Sequence, residues 1–207
     1  MSKLIKIDPK NPEEKKLKIG AEAIEKDKLV IYPTETVYGI GANACSNEAV
    51  GKIFKAKSRP LENPISIAID SMSMAYRVGK LTAREETLIQ EFLPGPLTIL
   101  VKKRPILSNL LTGGTDKVGI RIPDHPVALG LIRKVGRPIT STSANITGKE
   151  TPEKARGCLD QLGESIDLAF ESGKIKSGTP STVLDVTEGV EIIRPGPITE
   201  SQIRSVI

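Results

Sequence analysis

The chain has 207 residues, 38% of them hydrophobic, enough for one sizeable core and at most two domains. Aromatics make up 3%, with no Trp, so the core must be mainly Ile, Leu, Val and Ala, and a net charge of +5 suits a polyanionic ligand without the density of a histone-like protein. Cys45 and Cys158 stand far apart and outside any CxxC, which argues against a disulfide framework or a zinc site. His125 is the only histidine, which argues equally against a histidine metal cluster or a Ser–His–Asp triad. The opening MSKLIKIDPK has no apolar signal core, and no run of 18 apolar residues occurs; both point to a soluble, cytoplasmic protein without a membrane partner.

The elements alternate along the chain. "LIKI" (4–7) reads as a strand, and Glu13 to Lys26 as a helix with Leu17, Ala21 and Ile24 on one face. "LVIYP" (29–33) is a short apolar run closed by Pro33, hence a buried strand; Thr34, Glu35 and Thr36 follow, then Gly39 and Gly41, read as a Gly-rich turn. Asn47 is placed to cap a helix to about Ala56, with Val50, Ile53 and Phe54 facing inward. "ISIAI" (65–69) is the next strand. Thr82 caps a helix carrying Leu88, Ile89, Phe92 and Leu93, stopped by "PGP" (94–96), and "LTILVKK" (97–103) returns as a strand.

"VGIRIP" (118–123) is a strand with Arg121 near its end. Pro126 to Val135 is a helix with Pro at its first position, where the missing N–H costs little. "PITSTS" (138–143) is strand-like, Pro152 to Leu162 helical, and "IDLAF" (166–170), "STVLDV" (181–186) and "VEIIRPG" (190–196) complete the strands. Strands alternating with helices predict an α/β domain with a mixed sheet. The joints at 94–96, 112–115 and 177–180 are short enough to be loops inside one domain, 1–207.

Five stretches carry chemistry. In "YPTETVYGIGAN" (32–43), the hydroxyls of Thr34 and Thr36 with a Gly-rich turn can hold a small polar ligand or phosphate, or form an ordinary turn. In "KAKSRPLENPISIAI" (55–69), Lys57 and Arg59 stand two apart, so in an extended segment both point the same way as a cationic clamp for an anion, pre-organised by Pro60 and Pro64, with Asn63 beside them. The alternative is a solvated helix end whose cations favour the dipole. In "GIRIPDHP", alternation puts Arg121 on the opposite face from Ile120 and Ile122, as a buried ion pair or an anion ligand; His125 reads as a turn residue. "STSANITG" (141–148) delivers Ser141, Ser143 and Asn145 at a strand end, where α/β sheets gather ligands. Ser181 and Arg194 stand near the edges of the last two strands. No Walker A loop, GxGxxG or HExxH occurs.

Taken in order, "PTETVYGIGA", "KxRP" with a following "NP", "RIPDHP", "SANITG" and "STVLD…IIRPG" resemble the YrdC/TsaC family, the threonylcarbamoyl-AMP synthases, from about residue 10 to 197. The resemblance implies a YrdC-like twisted mixed sheet flanked by helices, with a basic concave face, in the short form lacking an extra carboxy-terminal domain. It implies an L-threonylcarbamoyladenylate synthase, a nucleotidyltransferase joining L-threonine, bicarbonate or CO2, and ATP, and releasing pyrophosphate. A downstream threonylcarbamoyl transferase complex would pass the group to tRNA, with tRNA itself a candidate contact. Lys57 and Arg59 become the catalytic cations. Thr36, Arg121 and Ser141 become threonine ligands. Asn63, Ser143, Asn145, Thr151, Ser181 and Arg194 join Lys57 and Arg59 at the nucleotide. Mg²⁺ would arrive with ATP, and no protein-bound transition metal is implied. Some relatives carry a His on the strand after "KxRP"; here Ile65 to Ile69 has none. Two other readings are a non-catalytic double-stranded RNA or tRNA-binding module, disfavoured by so few aromatics for base stacking, and a diverged carbamoylation paralogue.

Overall fold

Period-two alternation in the apolar runs is realised across the middle of one broad sheet. The structure, a computed structural model, describes residues 2–175 and 179–207. Its strands are β1 (Lys3–Lys6), β2 (Val30–Pro33), β3 (Tyr38–Gly41), β4 (Ser66–Ala68), β5 (Gly79–Lys80), β6 (Leu97–Lys103), β7 (Lys117–Arg121), β8 (Ile139–Ser143), β9 (Leu168–Glu171), β10 (Thr182–Asp185) and β11 (Glu191–Arg194). Their order is β1-β9-β2-β3-β8-β4-β7-β6-β10-β11, with β5 paired to β6. The pairs β1–β9, β9–β2, β4–β7 and β6–β10 are parallel and the rest antiparallel. This is the expected α/β architecture, a twisted mixed sheet.

Helices α1 (Glu14–Glu25), α2 (Asn47–Lys57), α3 (Met72–Val78), α4 (Ala83–Phe92), α5 (Pro126–Val135), α6 (Ala155–Leu162) and α7 (Glu200–Arg204) flank it. The longer ones bury an apolar stripe, such as Val127, Ala128, Leu131 and Ile132 on α5. The buried residues form one contiguous cluster dominated by Ile, Leu, Val and Ala. Among the described residues no helix is long and apolar enough to cross a membrane.

Several expectations are corrected. Gly39 and Gly41 do not form a turn. They lie in β3, paired back onto β2, because the turn is made by Thr34 to Val37. Tyr32, fully buried, lays its ring against both glycines; a Cβ on Gly41 would stand 3.1 Å from the ring. The cap of α2 is Ser46, whose hydroxyl accepts from the Ala49 N–H at 3.2 Å, and Asn47 is already helical. The helix expected from Pro152 starts at Ala155. Helices α3 and α7 and strand β5 are too short for a periodic signal. The expected loop at 177–180 lies partly outside the described residues. His125 caps α5, its Nδ1 accepting from the Val127 N–H at 3.2 Å, and burial lowers its pKa, which keeps that nitrogen free to accept.

The segment after α2 is braced from outside. Ile65 N–H donates to Leu111 O at 2.8 Å, from a 3-10 turn at Asn109–Thr112. Gly113 closes that turn at φ +56°, and a Cβ there would meet the Glu62 carbonyl at 2.2 Å. Gly113→Ala therefore combines a left-handed backbone with a clash. We expect a loss of more than about 1 kcal/mol, a drop in thermal midpoint of about 2–4 °C or more for a chain of this size. Calorimetry checks it; an unchanged midpoint would mean that the 58–64 segment is not braced there.

Candidate active site

The pairing registers collect the polar half of each alternating strand on one face. Gly39 of β3 pairs with Ser143 of β8, Ser141 of β8 with Ser66 of β4, and Ala68 of β4 with Arg121 of β7. Ile99 of β6 pairs with Ile120, which brings Thr98 beside Arg121; Thr98 then pairs with Val183 of β10, and Val183 with Arg194 of β11. Ile40, Thr140, Ile67, Ile120 and Ile99 occupy the opposite face and are fully buried. One face is therefore greasy and sealed. The other presents hydroxyls, glycine and guanidinium groups.

Gly39, Ser66, Thr98, Arg121, Ser141, Ser143 and Arg194 of that face line a cavity of about 150 Å³, together with Thr34, Thr36, Arg59 and Ser181. Its charged lining among the described residues is three arginines, Arg59, Arg121 and Arg194. Each is anchored. Arg59 donates from Nε to Asn63 O (3.1 Å) and from Nη2 to Pro64 O (2.8 Å). Arg194 donates from Nη2 to Ser181 O (2.7 Å) and Oγ (3.2 Å), and Ser181 Oγ meets Thr98 Oγ1 at 2.8 Å. Arg121, 5% exposed, donates from Nη2 to Glu35 Oε1 (2.5 Å) and from Nη1 to Thr36 Oγ1 (3.4 Å). Burial lowers the pKa of Arg59, and burial plus the charges of Arg121 and Arg59 lowers that of Arg194. Like charges gathered this way repel one another.

Two buried side-chain atoms at this site have no partner among the described residues: Glu35 Oε2 and Arg121 Nε. A buried polar atom left unpaired costs about 1–3 kcal/mol. Beside the cavity, a roomier groove of about 510 Å³ shares Arg59, Ser66 and Arg194 and adds Leu100, Gly119, Val183 and Ile193, with Lys117 and Asp185 at its polar end.

Lys57 is not the clamp partner that its spacing from Arg59 suggests. It is the last residue of α2, and Ser58, left-handed at φ 48°, redirects the chain. Its side chain is 1% exposed, and its ammonium is consumed by Ser143 O (2.5 Å), Asn145 O (2.7 Å) and Asn145 Oδ1 (3.2 Å). Asn145 is used up too: Oδ1 accepts from Ser143 Oγ at 2.5 Å, and Nδ2 donates to Lys149 O at 2.5 Å. Lys57 thus acts from behind the cavity, stapling the loop that follows β8.

Of the residues singled out in the sequence, Thr36, Arg59, Arg121, Ser141, Ser143, Ser181 and Arg194 come together in the cavity lining. Lys57 and Asn145 stand behind it. Asn63 is exposed, its carbonyl holding Arg59, and Thr151 lies outside the lining. Ser66, Thr98 and Glu35 were not assigned. The signal for the first two was a polar residue alternating with Ile or Leu in "ISIAI" and "LTILV". Glu35 gave no signal until Arg121, 86 residues on, was seen beside it. Among the described residues no group of three or more His, Cys, Asp or Glu gathers as a metal site.

Comparison with known proteins now places this geometry. The Sua5/YciO/YrdC family model, described as "Telomere recombination", matches residues 22–196. The chain belongs to the Sua5/YciO/YrdC family. It is 42% identical over 197 residues to the threonylcarbamoyl-AMP synthase of Pyrococcus abyssi, covering 94% of this chain and 58% of that protein. It is 41% identical over 191 residues to the threonylcarbamoyl-AMP synthase of Bacillus subtilis, covering 91% and 55%. The chain therefore spans a little over half the length of these two relatives. The crystal structure of Pyrococcus abyssi Sua5 complexed with L-threonine superposes with a TM-score of 0.93 at 40% identity, over 99% of this chain and 60% of that one.

The Lys57 staple has a pH signature. Desolvation, with Arg59 adding to it, lowers the Lys57 pKa from 10.5 to about 8. Below pH 8 the lysine is charged both folded and unfolded, and its burial cost is full. Between pH 8 and 10.5 the unfolded chain holds a proton there that the folded chain does not, so that cost fades as pH rises. Lys57→Met removes the group. The thermal midpoint of wild type minus that of Lys57→Met should rise from pH 8 to pH 10.5, measured in parallel melts. A flat difference would show that the staple does not titrate in this window.

Proposed function

We propose that the chain is an L-threonylcarbamoyladenylate synthase: it condenses L-threonine, CO2 or bicarbonate, and ATP into threonylcarbamoyl-AMP and pyrophosphate. The observation that carries this reading is a cavity lined by three guanidiniums and a row of hydroxyls, in a chain about two-fifths identical to proteins of that activity. The guanidinium and hydroxyl donors suit carboxylate and phosphate oxygens. They offer no carboxylate cage for a cation, so Mg²⁺ belongs to the nucleotide substrate.

The roles follow from position. Arg121, with Thr36 and Ser141 beside it, takes the amino-acid carboxylate. Arg59 and Arg194, at the mouth shared with the wider groove, take the phosphates, with Ser143 and Ser181 as hydroxyl donors. The groove itself, with its apolar wall of Leu100, Val183 and Ile193, takes the nucleoside. Asn63 and Thr151, outside the lining, reach the nucleotide only when it binds. Lys57 and Asn145 hold Ser143 in place.

The ammonium of threonine first gives up a proton to solvent; the free amine then adds to CO2 and loses a second proton, giving a carbamate. A carbamate oxygen then attacks the α-phosphorus of ATP, the bond to the β-phosphate oxygen breaks, and pyrophosphate leaves. Negative charge builds on phosphoryl oxygens, where fixed cations and hydroxyls act with little reorganisation. No protein nucleophile enters: Cys158 lies outside the cavity lining, and burial raises its thiol to about 12. The reading also places the protein in the cytoplasm as one YrdC-like domain with a basic concave face. That face offers a tRNA contact, and the product passes to a downstream threonylcarbamoyl transferase complex.

Pure protein incubated with ATP, Mg²⁺, L-threonine and labelled bicarbonate should release pyrophosphate only when threonine and bicarbonate are both present, and should form a labelled adenylate. Arg59→Ala should cut that rate about 100-fold or more, the scale of losing one fixed donor to a transition-state anion. Folded protein that makes no pyrophosphate, or makes it without threonine, would overturn the assignment.

A further inference from the structure

Glu35 is the one carboxylate paired with an arginine of the site among the described residues. It lies on the turn between β2 and β3, its side chain 19% exposed, and its Oε1 holds Arg121 Nη2. Its second oxygen is buried and unpaired, and so is Arg121 Nε beside it. An acceptor and a donor, both buried and both idle, flank a single ion pair. An α-amino acid supplies the complement of that arrangement: a carboxylate for the guanidinium and an ammonium for the carboxylate, two bonds apart. Resting on the synthase reading, we propose that Glu35 is a specificity-determining residue that receives the α-ammonium of the substrate amino acid while Arg121 receives its carboxylate.

Both idle atoms are occluded in the closed pair, so the substrate inserts into it. Its carboxylate replaces Glu35 on Arg121, and the freed Glu35 turns to the ammonium. One internal ion pair becomes two external ones with no change in net charge, so the exchange carries no unpaired charge into the pocket. It also gives partners to the two buried atoms that lack them. Selection follows from the same geometry. A carboxylic acid without the amine leaves Glu35 with no cation, and an amine without the carboxylate leaves it closed on Arg121. The site becomes selective for zwitterions before any contact to the threonine side chain is made.

The test removes one partner at a time. Dissociation constants of L-threonine and of its amine-free analogue, (2S,3R)-2,3-dihydroxybutyrate, are measured by calorimetry on wild type and on Glu35→Gln, with ATP binding as a check on the fold. Wild type should prefer threonine by about tenfold or more, the scale of one charge-assisted contact. In Glu35→Gln that preference should collapse towards unity while ATP still binds. If Glu35 only positions Arg121, the variant weakens both ligands equally and the preference survives, which overturns the proposal. Glu35→Asp, which keeps the charge, should retain part of the preference and guards against a folding artefact. Wild type that binds neither threonine nor ATP refutes the synthase reading itself, an outcome distinct from a surviving preference in Glu35→Gln.

Discussion

Three guanidiniums lining one cavity, one of them paired with a carboxylate, set the terms for the rest of this structure. Like charges at this range destabilise a fold unless each is tied down and the surrounding frame is rigid. Each arginine is tied differently: Arg59 by carbonyls of its own loop, Arg194 by Ser181, and Arg121 by Glu35 and Thr36. The sealed apolar face of the sheet supplies the rigidity. The result is a site that gathers like charges and keeps two buried atoms unpaired.

The same logic explains why a lysine lies behind the site. β8 ends in Ser143 at the cavity, and the loop that follows turns the carbonyls of Ser143 and Asn145 towards Lys57. Lys57 satisfies them, and Asn145 closes the loop onto Lys149. A charge buried for this purpose costs solvation, which is why its pKa falls. It acts through the loop it holds and not by touching the cavity.

Much of this was legible in the sequence because strand alternation is strict. Arg121 between Ile120 and Ile122 could only face away from the sealed side, and that held. The order of the motifs carried the family, and the alternation of strands and helices carried the fold class. Lys57 and Arg59 misled because two residues apart means one face only in a strand, and here a helix ends between them. Gly39 and Gly41 looked like a turn because local propensity cannot see the Tyr32 ring that requires them. Glu35 was invisible because its meaning lies in a partner that only the sheet register brings near. Ser66 and Thr98 were hidden inside runs that read as core.

The central claim is that the three arginines form one anion site. The direct measurement is the thermal midpoint of the whole chain across a pyrophosphate titration, against sodium chloride at matched ionic strength. Pyrophosphate should give a saturable rise that chloride does not produce, and the rise should be lost in the double variant Arg59→Gln, Arg194→Gln. A pyrophosphate response no larger than that of chloride, or one that survives in the double variant, would contradict it.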